Sequence, residues 1–315
     1  MPTSGYRLVQ LANGAYAVHS LVFNEKMHPG LGPAAEAETL YVGQLKFRKR
    51  LRQHQGEHVI WDVGLGAAAN AIAVLRAARE FSWPLRLVSF DDTLEPLEFA
   101  LSHAEALRYL NGYEEPAKAI LEDGQVRFAN GGHEVKWEFH PGDFPSLLAL
   151  ELQRRSPNRS ASTVGVQASA CDRDRLKPEL QRAESEFGIP HAILFDAFSP
   201  AKNPAMWTLP LFTNLFRLLD PKRPCNLTSY SRSTMFRVTL LLAGFFVGRG
   251  IPTGLKEETT VAANTLELID APLDRKWLER ARRSSSAEPM YEPVYWRAPL
   301  APGNWEKLSA HPQFQ

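Results

Sequence analysis

Two stretches of this chain carry residue types and spacings that can do chemistry. The first is Asp62-Val63-Gly64-Leu65-Gly66-Ala67-Ala68-Ala69-Asn70. An apolar run delivers an acid, then a glycine turn, then a helix-forming segment. Glycines there let the backbone approach a ligand, and the helix start offers free N–H groups. By itself this turn also fits a plain strand-to-helix connection, so its surroundings must decide. A dinucleotide fingerprint wants a further glycine three residues after Gly66, where Ala69 stands, so NAD is disfavoured. No P-loop lysine follows, which argues against a triphosphate. Acids close three successive apolar runs: Asp62, Asp91 and Asp143. In open α/β sheets ligands bind at the carboxyl ends of the strands. Asp91 is then placed to accept from the ribose hydroxyls of an adenosine, and Asp143 from an adenine amino group. This is the layout expected for S-adenosylmethionine.

The second stretch runs from Phe195 to Thr208: Phe-Asp-Ala-Phe-Ser-Pro-Ala-Lys-Asn-Pro-Ala-Met-Trp-Thr. It follows another apolar run, so Asp196 is expected over the sheet beside the reacting centre. An acid in a proline-fixed, aromatic loop suits a nitrogen nucleophile. A primary amine must shed a proton before its lone pair can attack a methyl group, and a carboxylate can orient it and offset its charge. Methyl transfer itself asks for little beyond in-line alignment. Tyr230 and Arg232, in Tyr230-Ser231-Arg232-Ser233-Thr234, are further candidates on the substrate side; the competing reading makes Ser233 or Thr234 the N-cap of the next helix. His28, in a Gly/Pro-dense loop, either covers the site or is a surface histidine.

The elements needed to hold these residues are legible in outline. Tyr6 to Leu11 and Tyr16 to Val22 flank Asn13-Gly14, a hairpin signal. Residues Ala34 to about Arg52 are compatible with one helix. Strands are expected at Val59 to Val63, Leu85 to Phe90, Val135 to His140, Ala192 to Phe195, Asn226 to Tyr230, Phe245 to Val247 and Thr259 to Ala263. Helices are expected at Ala67 to Glu80, Glu95 to Leu110 and Thr234 to Leu242. Alternating strands and helices mean a mostly parallel sheet covered on both faces. The expected organisation is a β-rich segment over 1–45, a Rossmann-like domain over 46–269 with an Arg/Ser-rich insertion at about 151–185, and a tail over 270–315 packed on that domain.

Composition sets the outer limits. The chain has 315 residues, 44% apolar and 23% charged, with a net charge of +1. These are globular values, and they argue against a general nucleic-acid grip while leaving local basic patches open. Candidate patches are Lys46 to Arg52, Arg154 with Arg155 and Arg159, and Arg280 with Arg282 and Arg283. The longest apolar run, Val238 to Val247, is too short to span a bilayer. No signal peptide is evident. The two cysteines, Cys171 and Cys225, make no framework, so a reducing cytoplasm is the expected compartment. The nine histidines show no metal spacing, and no metal is expected.

The stretch Asp196 to Thr208 closely resembles the methyltransferase half of the MnmC family of bacterial tRNA-modifying enzymes. So do Gly64-Leu65-Gly66 through Asn70 and the segment near Arg237. The resemblance covers roughly Tyr16 to Asn264. It implies a class I S-adenosylmethionine-dependent methyltransferase fold, and N-methylation of the 5-aminomethyl group of a wobble uridine in a tRNA anticodon loop. Carried over, Asp196 is the catalytic acid; Phe198, Lys202, Asn203, Tyr230 and Arg232 shape the substrate side; Asp62, Gly64, Gly66, Asn70, Asp91 and Asp143 hold the cofactor. The Ala67-Ala68-Ala69 run and the Arg/Ser-rich insertion depart from the family's pattern. About fifty residues follow Asn264, too few for a flavin domain, and no obligate protein partner is expected. The alternatives are methyl or aminopropyl transfer to a small amine, or a non-catalytic RNA- or nucleotide-binding module on the same fold.

Overall fold

The computed structural model describes residues 5–155, 185–254 and 257–315. Its N-terminal part is a three-stranded antiparallel sheet of β1 (Tyr6–Gln10), β2 (Tyr16–Ser20) and β3 (Glu25–Lys26). The main sheet uses β4 (His58–Val63), β5 (Leu85–Asp91), β6 (Gln125–Asn130), β7 (His133–Pro141), β8 (Ala192–Phe195), β9 (Asn226–Ser229), β10 (Phe246–Gly250) and β11 (Thr259–Ala263). Their spatial order is β10-β11-β9-β8-β4-β5-β7-β6. The five strands from β9 to β7 are mutually parallel, and β11 lies antiparallel between β9 and β10.

Strand β4 is buried along its whole length, as a central parallel strand should be. Its side chains alternate. Val59, Trp61 and Val63 join Ile193 and Phe195 in one core, and Ile60 joins Leu87 and Leu194 in the other. From β4 the chain goes outward to β5 and β7 on one side, then returns to β8 and β9 on the other. The reversal between β4 and β8 opens a crevice at their carboxyl ends. The glycine turn leaves β4 there, and the Asp196 loop leaves β8.

Several expectations need correction. Among the described residues, the sheet has eight strands rather than seven. The additional one, β6, forms a hairpin with β7 across Gly131-Gly132, with Asn130 paired to His133. The single helix expected over 34–52 is three pieces: Pro33–Ala37, a π-helical turn Glu38–Gly43, and Phe47–Gln53. Lys46 breaks it by taking a left-handed conformation at φ 48°. The helix expected over 95–110 divides at His103 into Glu95–Ser102 and Ala104–Leu107. The insertion lies largely outside the described residues, as do Arg159 and Cys171.

The residues after 269 contribute to the main core. Leu273, Trp277, Leu278, Leu308 and Phe314 are buried against the sheet's helices. Gln313 ties the end of the chain down by donating to the carbonyls of Val247 and Leu273 at 2.8 and 2.9 Å. Arg237 is 1% exposed; it pairs with Glu258 at 2.9 Å and donates to the Thr259 carbonyl at 2.7 Å, which clamps β11 onto its helix. Cys225 is buried, and burial pushes its thiol up to about 12, which keeps it inert. Among the described residues, no helix is long and apolar enough to cross a membrane.

Candidate active site

A cavity of about 390 Å³ opens at the carboxyl ends of β4, β5, β7 and β8. Its size falls within the usual range for small-molecule sites. Gly64 and Gly66 form its floor with φ of 92° and 50°, conformations open to glycine. Ala68 takes φ 62° as well, at a cost of about 1–2 kcal/mol for a residue with a Cβ. The helix Ala69–Ala78 starts behind this turn and is almost wholly buried, its alanines allowing close approach to the sheet.

Of the expected cofactor residues, Gly64, Gly66, Asn70, Asp91 and Asp143 line this cavity. Asp91 ends β5. Its Oδ2 accepts from the Gly66 N–H at 2.8 Å and its Oδ1 from the Asp92 N–H at 2.8 Å, so the acid and the glycine turn are fixed to each other. Burial raises its pKa to about 6, against those backbone bonds, which lower it. A carboxylate accepts hydroxyl hydrogens and a protonated acid loses that capacity. Affinity for S-adenosylmethionine is therefore expected to fall as pH drops through about 6, and to become pH-independent there in Asp91→Asn. Calorimetric titration between pH 5 and 8 checks this, and an unchanged wild-type affinity at pH 5 would sink it. Asp143 lines the cavity too, with Oδ2 accepting from the N–H and hydroxyl of Ser146 at 3.1 and 2.6 Å. It thus also caps the helix Phe144–Arg155.

Asp62 is not part of the cavity wall. It is one residue short of the end of β4, so the strand's alternation turns it into the packed layer, where it is 0% exposed. Ser89 Oγ donates to its Oδ2 at 3.0 Å. Burial, reinforced by Asp196 and Asp91, raises its pKa to about 8 despite that bond. The protonated form favours the fold. This contribution is whole below pH ~4, and as pH climbs to about 8 it is lost at about 1.4 kcal/mol per unit. Asp62→Asn should remove that slope, so the mutant gains on wild type in thermal melts from pH 5 to pH 9. Parallel melting curves across that range would exclude the assignment.

Asp196 sits one residue beyond β8, and Asn70 Nδ2 donates to its Oδ2 at 2.7 Å. Asn70 Oδ1 is buried and has no hydrogen-bond partner. Such an orphaned acceptor suits a ligand bearing N–H donors, as both the ammonium of S-adenosylmethionine and a substrate amine do. Phe198, Asn203 and Tyr230 also line the cavity. The Tyr230 hydroxyl donates to the Ala197 carbonyl at 3.0 Å, and burial pushes its pKa up. Lys202 and Arg232 are outside the lining. Lys202 is exposed, and Arg232 is half exposed, facing Glu257 at 3.7 Å. Ser233 accepts from the Phe236 N–H, so the N-cap reading holds there.

The N-terminal segment supplies a wall of which only His28 is legible in the sequence, as one of two readings. Phe23 stacks on Phe198 with ring centres 4.2 Å apart. Glu25 Oε2 accepts from the Ser199 N–H at 3.1 Å, and its Oε1 from the Ser199 hydroxyl. His28 also lines the cavity, with Nε2 3.7 Å from Asp196 Oδ2 and Nδ1 3.8 Å from Glu36 Oε2. Tyr41 lies beneath, fully buried, its pKa held well above the usual value by burial and then by Asp196.

Two expectations about surface chemistry change. Most of the basic run is already partnered: Lys46 with Asp270 at 2.6 Å, Arg48 with Glu38 at 2.6 Å, Arg52 with Glu80 at 3.8 Å. Arg50 reaches the Asn226 side chain and the His191 carbonyl. Elsewhere, at the amino ends of β4 and β8, His54, His58 and His191 bring ring nitrogens within 4.8 Å of one another. The Val59 N–H occupies His191 Nδ1 at 3.0 Å, and the charges of Arg50 and Arg223 act on His58 and His191. That donor set is poorly suited to a cation.

Comparison with known proteins agrees with this geometry. Residues 176–265 match a family model described as S-adenosyl-L-methionine-dependent methyltransferase. The chain is 36% identical over 96 residues to the tRNA 5-methylaminomethyl-2-thiouridine biosynthesis bifunctional protein MnmC of Ectopseudomonas mendocina (strain ymp), a match covering 30% of this chain and 14% of the relative. It is 32% identical over 144 residues to the protein of that name from Ralstonia nicotianae, covering 41% and 22%. The chain thus spans under a quarter of the length of the curated relatives it matches. In fold it is similar to MnmC2 from Aquifex aeolicus, with a TM-score of 0.65 and 21% identity over 92% of this chain and 80% of that one. With the strand order, the glycine turn and the acid at the end of β5, these matches show a chain similar to S-adenosylmethionine-dependent methyltransferases over residues 176–265, and to the MnmC proteins over the segments they share.

Proposed function

We propose that this enzyme N-methylates the 5-aminomethyl group of a modified wobble uridine in tRNA, within the cytoplasm. The observation that carries the reading is Asp196, fixed by Asn70 at 2.7 Å at the strand reversal, in a cavity whose other side is acid-lined for an adenosine. The glycine turn, Asn70, Asp91 and Asp143 would hold S-adenosylmethionine, which supplies an electrophilic methyl group when bound. Asp196 orients the amine and offsets its charge. Phe198, backed by Phe23, gives the substrate side an aromatic surface, suited to a base splayed from an anticodon loop. Asn203, at the cavity, and Lys202, exposed on the same loop, complete the substrate-side assignment; Arg232 would act only at the periphery.

One observation favours a second reading. Glu25, Glu36, Asp91, Asp92, Asp143 and Asp196 all line the cavity. So many carboxylates attract a small polyamine at least as well as an RNA, whose phosphates they repel. The test is methyl transfer from labelled S-adenosylmethionine to bulk tRNA from cells lacking the terminal methylation step, followed by nucleoside analysis, with polyamines run in parallel. A new methylaminomethyl uridine supports the tRNA reading. Labelled polyamine with unlabelled RNA overturns it.

A further inference from the structure

We propose that His28 is the group that takes the proton from the substrate amine, with Asp196 acting as its electrostatic partner. The inference rests on the amine reading above and assigns that site its base. An aminomethyl group is cationic at neutral pH. Asp196 attracts it, but an ordinary carboxylate is too weak a base to deprotonate it efficiently, whereas an imidazole titrates near neutrality.

The placement of His28 supports the role. It is a non-glycine residue held at φ 55°, a conformation costing on the order of 1–2 kcal/mol. Glu36 holds the loop in that shape. Its Oε1 accepts from the Leu31 N–H at 2.8 Å and also from the Gly30 N–H, while its Oε2 lies 3.8 Å from His28 Nδ1. Nε2, 3.7 Å from Asp196 Oδ2, is too far for a direct hydrogen bond. One ammonium nitrogen at about 2.9 Å from each can donate to both. The charged groups within 4 Å of the ring are Asp196 and Glu36; Glu25, Lys26 and Tyr230 line the same cavity, and buried Tyr41 faces Asp196.

The balance is simple. An N–H bond of R–CH2–NH3⁺ breaks, the proton goes to Nε2, and the electron pair stays on nitrogen. That pair forms the N–CH3 bond while the methyl–sulfur bond breaks and its electrons remain on sulfur. The products are the methylammonium, the neutral thioether and an imidazolium that later releases its proton to water.

The experiment uses His28→Ala and His28→Gln with wild type, on tRNA carrying the aminomethyl uridine. Expected are a 10²–10⁴-fold fall in kcat near neutral pH, cofactor affinity within about threefold of wild type, and a shift of the acidic limb of log kcat to higher pH in both variants, where the amine's own deprotonation takes over. Partial rescue of His28→Ala by added imidazole is expected. A kcat within threefold of wild type, or an acidic limb that stays where wild type has it, overturns the inference while leaving the proposed function intact. Wild type inert toward this RNA overturns the tRNA reading itself, and this role with it.

Discussion

Asp196→Asn should lower kcat by about 10³-fold while leaving the cofactor dissociation constant within a few-fold of wild type. The backbone at this position follows directly on β8, where the Asp196 N–H donates to the Val63 carbonyl at 2.9 Å. That bond does not depend on the side chain. An asparagine oxygen still accepts from Asn70 Nδ2, so nothing buried is left unpaired. What disappears is one negative charge beside the substrate nitrogen. Stability should hold or rise slightly, since Asp196 is one of the charges that keep buried Asp62 protonated. The measurement is single-turnover methyl transfer alongside cofactor titration and a thermal melt. If cofactor affinity falls as far as the rate does, Asp196 serves the cofactor. If the melt collapses, it serves the fold. Asp196→Ala adds a control, because it strands the Asn70 amide at a cost of about 1–3 kcal/mol and should cut both rate and stability.

What the sequence disclosed follows the range of the contacts involved. The glycine turn and the Asp196 loop are read locally, because each is a strand end followed by residues that can only be a turn. The strand reversal then brings them together without further information. The three strand-closing acids looked equivalent, yet a single step in strand phase separates them. Asp91 is the last residue of β5 and Asp143 lies beyond β7, whereas Asp62 falls one residue inside β4 and is packed away. Period-2 alternation held that distinction, but it requires the strand's end to be known to one residue. β6 was missed although Asn130-Gly131 is itself a hairpin signal. Its own burial alternates only weakly, as an edge strand's does. Glu25 and Glu36 were out of reach, and His28 could be read only as one of two alternatives, for another reason. Their loop reads as Gly/Pro-rich surface, and only a contact some 170 residues away in the chain, Glu25 with Ser199, brings it over the sheet. The basic run between Lys46 and Arg52 misled in the opposite direction. Its charges are clustered in sequence, but their partners, Asp270 and Asn226 among them, come from distant segments.

Gly64→Ala should be the most damaging single-methyl change at the site. At φ 92° a Cβ is strained in any surroundings. Here it would also stand 2.7 Å from the Asp196 carbonyl oxygen and 3.0 Å from its carbon. Those atoms are backbone at the end of a parallel strand, so they cannot rotate aside as a side chain would. Relief requires the ends of β4 and β8 to part, and that moves the Asp196 carboxylate. Conformational strain of about 1–2 kcal/mol and overpacking of about 1–3 kcal/mol together give roughly 2–5 kcal/mol of lost stability. A displacement near 1 Å at a reacting group costs on the order of 10²-fold in rate. Two other glycines separate the causes. Gly14 has a similar φ of 83° with nothing near its Cβ, so Gly14→Ala reports strain alone. Gly66, at φ 50°, would bring its Cβ only to ordinary contact with Met27 Sδ at 3.5 Å, so Gly66→Ala should weaken cofactor binding with little movement of Asp196. Thermal melts and single-turnover rates on the three variants therefore rank Gly64→Ala lowest in both. Equal losses in Gly64→Ala and Gly14→Ala would mean that the approach of β4 to β8 is not what holds the acid in place.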